Sequence, residues 1–230
     1  MSDYVLYGTP VSPFVRKVEA VLNQIGQTYD FENVDIFNQP DWFKEISPAR
    51  RVPVLRVRSI SEDGPEGTLA DSSAICAFLS KKHKSDLYCS EAFDTGRAVW
   101  LEEYADTVLA QPAGMNVFRP VLLPRFAGQE SDLDTARKTW NEVLPPIFDY
   151  LENCLADGDF FVGNAYSIAD IAVGCQMAQL DIVAGLPDEN RWPNLARHTF
   201  AMKERPGFKE NLDTCKKMLG KFLPEPVDLS

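Results

Sequence analysis

The sequence predicts two units of different class, a small α/β unit followed by an all-helical one. Strand-like and helical runs alternate over residues 1–84. From residue 94 to 230 only helical periodicities remain, and a polar linker, 85–93, separates the two.

The elements follow in order. Residues 3–8 read as a short strand ended by Gly8. From Pro13, the apolar residues Phe14, Val18, Val21, Leu22 and Ile25 recur at helical spacing, and Gly26 stops the run. Residues 28–34 form a second strand-like run. A short helix is expected at 40–46 and a strand over 53–57. The stretch Ser59–Gly67 is acidic and Gly/Pro-bearing, hence an exposed hairpin loop, and a helix over 72–83 closes the unit. This β-α-β then β-β-α order is that of a thioredoxin-like domain.

The second unit opens with a helix near Asp94 carrying Val99, Trp100, Tyr104, Val108 and Leu109. Pro112–Gly114 and Pro120–Pro124 predict a kinked or looped region after it. A helix over 131–155 must be kinked or split at Pro145-Pro146. Ser167 and Asp170 have capping-box spacing, with Asp in place of Glu/Gln, and open an apolar helix to about Ala184. Helices near 193–204 and 206–220 precede a Pro-bearing tail expected to be loosely held.

Composition bounds the function. The 230 residues carry 23 basic and 34 acidic side chains, a net charge of −11 that disfavours nucleic acid as a partner. Five scattered cysteines without a Cys-x-x-Cys pair suit free thiols in a reducing, cytoplasmic setting. The most apolar segment, 168–186, is interrupted by Asp170, Gln176, Gln179 and Asp181, which predicts a buried core helix and no membrane span. With only His83 and His198, both read as surface or helix-end residues, neither a metal site nor a Ser/His/Asp triad is expected.

Two motifs point to a ligand. Val52 precedes Pro53 and is therefore pushed into an extended conformation; a cis bond there would leave its N–H and C=O open to an extended peptide. Asp71-Ser72 stands before a helical run, whose N-terminus favours a carboxylate. Each motif also has a purely structural reading, as a strand start and a helix cap.

With Leu6-Tyr7, Ser12-Pro13-Phe14, Val52-Pro53, Asp71-Ser72 and Gly163-Asn164 leading to Ser167-Ile168-Ala169-Asp170, the chain resembles the cytosolic glutathione transferase family over residues 3–220. The resemblance implies a thioredoxin-like domain that binds glutathione and a helical domain that supplies most of a pocket for a small hydrophobic electrophile, usually in a homodimer. It implies that Val52 pairs with the cysteinyl backbone of glutathione, beside Pro53. Asp71 and Ser72 would hold the γ-glutamyl end, although Asp71 stands where members more often have Glu or Gln. A cation for the glycine carboxylate would come from Lys44, Arg50 or Arg51.

The thiolate is the nucleophile, and a free thiol with a pKa of about 8.5 is mostly protonated near neutrality. A hydroxyl at a helix N-terminus stabilises the anion. Ser12, directly before Pro13, fits that role, and Tyr7 is the alternative. Thr9 is better suited to a turn. The electrophile pocket is expected at Val11, Phe14, Tyr104, Met115 and Phe118. No cysteine occurs in residues 9–16, which disfavours protein-thiol redox chemistry, and the Ser-Ser-Cys run of maleylacetoacetate isomerases is missing. The leading expectation is a Ser-type glutathione S-transferase. The alternatives are a non-catalytic protein-binding module of the same fold and a glutathione-dependent isomerase or dehalogenase.

Overall fold

A computed structural model describes residues 2–230. Contacts divide the chain into two units. One runs up to Asp86 and takes in Pro206–Leu212; the other comprises Leu87–Arg205 and Asp213–Ser230.

The first unit is built in the order β1 (Tyr4–Gly8), α1 (Pro13–Gln24), β2 (Tyr29–Asn33), α2 (Asp41–Ile46), β3 (Val54–Val57), β4 (Thr68–Leu69) and α3 (Ser72–His83). Its four strands form one mixed sheet in the order β2-β1-β3-β4, with β1 parallel to β2 and antiparallel to β3. Because β1 is central, both its faces are covered, which is why Tyr4–Tyr7 is an uninterrupted run without polar alternation. Val5 and Tyr7 pack with Val34, Phe43, Ile46 and Val54 under α2. Tyr4 points to the opposite face, where its hydroxyl meets His83 Nε2 at 2.7 Å. Helices α1 and α3 pack on each other. Gly8 is needed where the chain leaves the sheet: a Cβ there would stand 2.5 Å from Val15 Cγ2.

The 206–212 segment belongs to the first unit through a buried polar network. Asn211, 4% exposed, donates from Nδ2 to Glu19 Oε2 at 2.6 Å and to Pro10 O at 3.0 Å. Its Oδ1 accepts from Arg16 Nε at 2.6 Å, and Tyr29 Oη donates to Glu19 Oε1 at 2.9 Å. Burial, opposed by these donors, raises Glu19 above its ordinary 4.5. Burial and the adjacent Glu19 carboxylate raise the Tyr29 phenol as well.

A carboxyl raised on folding binds its proton more tightly in the native than in the unfolded chain. Its contribution is therefore fully present below the unfolded pKa and lost as pH rises through the folded one. Glu19→Gln keeps an acceptor for Asn211 and a polar partner for Tyr29 without the charge. The variant is expected to gain thermal stability relative to the parent as pH rises from about 4.5 to neutrality, read by melting curves across that range. An unchanging difference between the two proteins would show that Glu19 is not the titrating group.

The second unit contains α4 (Ala92–Glu103), α5 (Arg119–Phe126), α6 (Leu133–Lys138), α7 (Leu144–Leu155), α8 (Ile168–Ala184), α9 (Pro193–Lys203) and most of α10 (Phe208–Leu219). The stretch expected to be kinked or looped is no loop: the chain is helical from 92 to 126. Two wide π-helical segments, Tyr104–Leu109 and Pro112–Phe118, join α4 to α5. Wider turns relieve the i→i−4 pattern that a proline ring and its missing N–H would break. A third wide segment, Thr139–Val143, joins α6 to α7 just before Pro145 and Pro146, which have no N–H to donate.

Helix α8 is buried nearly all round, as the apolar 168–186 segment requires, and packs on α4 and α9. Its capping box is formed by Ser167 and Asp170. His198 departs from the surface or helix-end expectation: it is 1% exposed, its Nε2 lying 3.1 Å from Asp170 Oδ1. The tail is also better held than expected. Val227 N donates to Val183 O and Asn141 Nδ2 to Leu229 O, both at 2.8 Å, and Leu223 and Leu229 are buried.

Candidate functional site

Strand register brings the two sequence motifs and the α1 N-terminus to one end of the sheet. Tyr7 pairs with Val54, and Leu55 with Leu69. The C-terminal ends of β1 and β4 and the N-terminal end of β3 therefore lie at the same end of the sheet, next to Ser12, Asp71-Ser72 and Val52-Pro53 in the chain. Three segments separated in sequence, 9–12, 52–53 and 70–72, therefore share one end of the first unit.

The Val52-Pro53 peptide is cis, and the chain turns there into β3. Among the described residues, the N–H and C=O of Val52 have no protein partner. The residue before it is held instead. The Ser47 hydroxyl donates to Arg51 O at 2.8 Å and accepts from Arg51 N at 3.1 Å. Ser47 is fully buried and was not among the expected site residues. Its sequence signal is faint, a serine before Pro48 at the end of α2. The result is an extended backbone edge on which a peptide can add as a strand.

Both helices that begin at this edge present their N-termini to it. Ser12 caps α1 with φ −77° and ψ 125°, its N–H bonded to Thr9 O at 3.0 Å and its Oγ accepting from Val15 N at a long 3.4 Å. That bond uses an oxygen lone pair and leaves the O–H proton available to a ligand. Asp71 caps α3, its Oδ1 accepting from Ala74 N at 2.9 Å. Ser72 is 6% exposed, and its hydroxyl has no partner among the described residues. Next to it, Lys17, also buried, donates to Ser73 Oγ at 3.0 Å and ties α1 to the first turn of α3. The edge thus offers N–H donors and two helix dipoles to anions, together with one carboxylate for a cation.

Tyr7 is placed differently from Ser12. It is 7% exposed in the cluster under α2, edge-on to Trp42 with ring centroids 5.6 Å apart. Of the candidate cations, Lys44 pairs with Asp41 in its own helix. Arg50 and Arg51 are exposed and their guanidinium groups make no hydrogen bond or ion pair among the described residues. Arg50 adopts a left-handed conformation, φ 52°, and its carbonyl accepts from Gln39 Nε2 at 2.9 Å.

The residues expected to line a second pocket lie in both units. Val11 and Phe14 flank Ser12 in the first, each half-buried. In the second, Tyr104 stacks on Tyr150 at 4.6 Å and lies 6.0 Å from Trp100, whose Nε1 donates to Tyr150 Oη at 2.8 Å. Met115 is 48% exposed, whereas Phe118 is buried at 8% and packs in the helical core. Burial, followed by the Tyr150 phenol beside it, raises Tyr104 above the ordinary tyrosine range.

Among the described residues, no group of three or more His, Cys, Asp and Glu is placed to hold a metal ion. None of their helices is long and apolar enough to cross a membrane.

Family models match both units. The model of the glutathione S-transferase N-terminal domain covers residues 6–86, and that of the C-terminal domain covers 100–199. Glutathione S-transferase 3 of Zea mays is 29% identical over 177 residues, 74% of this chain and 75% of that protein. Glutathione S-transferase D6 of Drosophila melanogaster is 26% identical, covering 96% of this chain and 99% of its own. Among solved structures, glutathione transferase URE2P8 of Phanerochaete chrysosporium, crystallised with oxidized glutathione, shares the fold with a TM-score of 0.78. It does so at 20% identity over 96% of this chain and 98% of its own.

Proposed function

The chain belongs to the glutathione S-transferase family, and on that premise we propose that it binds glutathione along Val52 and the α3 N-terminus and activates the thiol with Ser12 for attack on a small hydrophobic electrophile. The observation that carries this reading is the convergence of three complementary features at one end of the sheet. They are an unpaired extended backbone at Val52, a helix N-terminus at Asp71-Ser72, and a second helix N-terminus with a hydroxyl at Ser12.

The tripeptide lies along Val52, its cysteinyl N–H and C=O exchanging hydrogen bonds with that residue. The γ-glutamyl carboxylate takes the Ser72 hydroxyl and the first N–H groups of α3, and the Asp71 oxygen not used for capping attracts the ammonium. With Lys44 occupied by Asp41, Arg51 or Arg50 serves the glycine carboxylate. The sulfur then falls toward the start of α1, where Ser12 O–H donates to it. In the first unit the electrophile is received by Val11 and Phe14, which flank Ser12. The protein works as a homodimer in a reducing, cytoplasmic setting.

Glutathione is expected to raise the melting temperature in proportion to the logarithm of its concentration above Kd. Ser72→Ala removes a hydrogen bond to a charged group, worth about 1.5–3 kcal/mol, and is expected to raise KM for glutathione by about 10- to 100-fold with a smaller change in kcat. Thermal titration and steady-state conjugation to a generic aryl halide check both. No stabilisation by glutathione would remove the reading; binding without turnover of any electrophile would favour a non-catalytic module.

A further inference from the structure

We propose that Asn211 is a positioning residue for the thiolate site, acting through the loop that carries Ser12. The inference rests on the role assigned to Ser12 above. Asn211 lies 199 positions further along the chain, near the start of α10, yet its side chain reaches the backbone of that loop.

The orientation of the amide follows from its partners. Pro10 O can only accept and Arg16 Nε can only donate, so Nδ2 must face the loop and Oδ1 must face α1. The second N–H is taken by Glu19 Oε2. One buried amide therefore joins the loop before Ser12 to two side chains of the helix after it. The Pro10 carbonyl and the Val11 N–H belong to the same planar peptide, one residue before Ser12. The ring fixes φ at Pro10, and the Ser12 N–H bond to Thr9 O closes the turn. Asn211 holds the peptide plane between these two constraints, and with it the direction in which Ser12 presents its hydroxyl.

A donor aimed at sulfur works only at hydrogen-bond distance, and small misplacements at a reacting centre cost up to about 100-fold in rate. The glutathione contacts proposed at Val52, Asp71 and Ser72 are on other segments. Loss of the amide is therefore expected to act on thiol ionisation and kcat, with binding nearly unchanged. A residue with a merely structural role would lower the amount of active protein without moving the pKa of the bound thiol.

The test follows the thiolate of bound glutathione by ultraviolet difference absorption against pH, in the full-length protein, for the parent, Asn211→Leu, Ser12→Ala and the double variant. Asn211→Leu is expected to raise the apparent pKa of the bound thiol by about one unit, a tenfold loss of thiolate per unit, with KM for glutathione changed less than about twofold. In the Ser12→Ala background the same substitution is expected to add nothing, because the hydroxyl it positions is gone. Should Asn211→Leu fold poorly, Asn211→Ser, too short to reach Pro10 O, is expected to shift the pKa in the same direction.

The results separate the two claims. A Ser12→Ala shift without an Asn211 shift overturns the positioning role and leaves the Ser12 reading intact. Additive shifts in the double variant overturn it too, by showing that Asn211 acts independently of Ser12. No shift from Ser12→Ala removes the premise and the inference with it.

Discussion

Ser12→Ala is expected to lower kcat/KM for conjugation by about 10- to 100-fold below neutral pH, with the deficit shrinking as pH rises past the free-thiol pKa of about 8.5. The sign follows from ionisation alone. A hydroxyl that stabilises the thiolate lowers the pKa of bound glutathione, so its removal costs the full factor below both pKa values and less as pH rises from the parent's value to the variant's. Above both pKa values each protein holds thiolate, and only the loss of orientation remains. Ser12 also caps α1, but its bond to Val15 N is long at 3.4 Å, and losing a cap costs about 1 kcal/mol of stability. That stability loss does not vary with pH in the way the rate does, so pH–rate profiles separate the two roles. Equal profiles for parent and variant would transfer thiol activation to Thr9 or Tyr7. Tyr7 is the poorer substitute, since it packs in the cluster under α2.

Asp170→Ala is expected to be the most damaging single change to stability. The Asp170 carboxylate is fully buried and satisfies four groups. Ser167 N and Ser167 Oγ donate to Oδ2 at 2.8 and 2.9 Å, and Phe161 N and His198 Nε2 lie 3.0 and 3.1 Å from Oδ1. Alanine leaves two backbone N–H groups and an imidazole without partners in the core, each costing about 1–3 kcal/mol, and also opens the capping box of α8. Allowing for relaxation, a loss of about 3–5 kcal/mol is expected, among the largest for a point substitution. At about 2–4 °C per kcal/mol, this lowers the melting temperature by roughly 10 °C. His198→Phe is expected to cost much less. Its Nδ1 is already a buried atom without a hydrogen-bond partner among the described residues, so the substitution removes one bond and one unmet group together. A melting temperature for Asp170→Ala within 2 °C of the parent would mean that the carboxylate is not the organiser of this region.

What could be read from the sequence was whatever is encoded within a few residues. The helix over Ser72–His83 was bounded by its cap and its apolar spacing, and the Ser167/Asp170 box marked the start of α8 three residues apart. Val52-Pro53 and Asp71-Ser72 were legible because a proline constrains the residue before it and a cap stands next to its helix. The prolines of 112–124 left a loop and a kinked helix both open because proline reports only its own missing donor, not whether neighbouring turns can widen to accommodate it. His198 looked like a surface residue because the carboxylate that makes its burial tolerable lies 28 positions away.

The sequence by itself determined the two classes of unit, the order of their elements, and the residue types able to hold a tripeptide and its thiol. Hydrophobic period, caps and turn residues act locally, so they survive without knowledge of the fold. Tertiary structure alone decided that the ends of β1 and β4 meet the start of β3, through antiparallel pairing on both sides of β3. It likewise returned residues 206–212 to the first unit and set Asn211 against Pro10. Those pairings depend on chain closure over tens to hundreds of residues, and a buried polar side chain reveals its partners only when the surrounding packing removes water as the alternative.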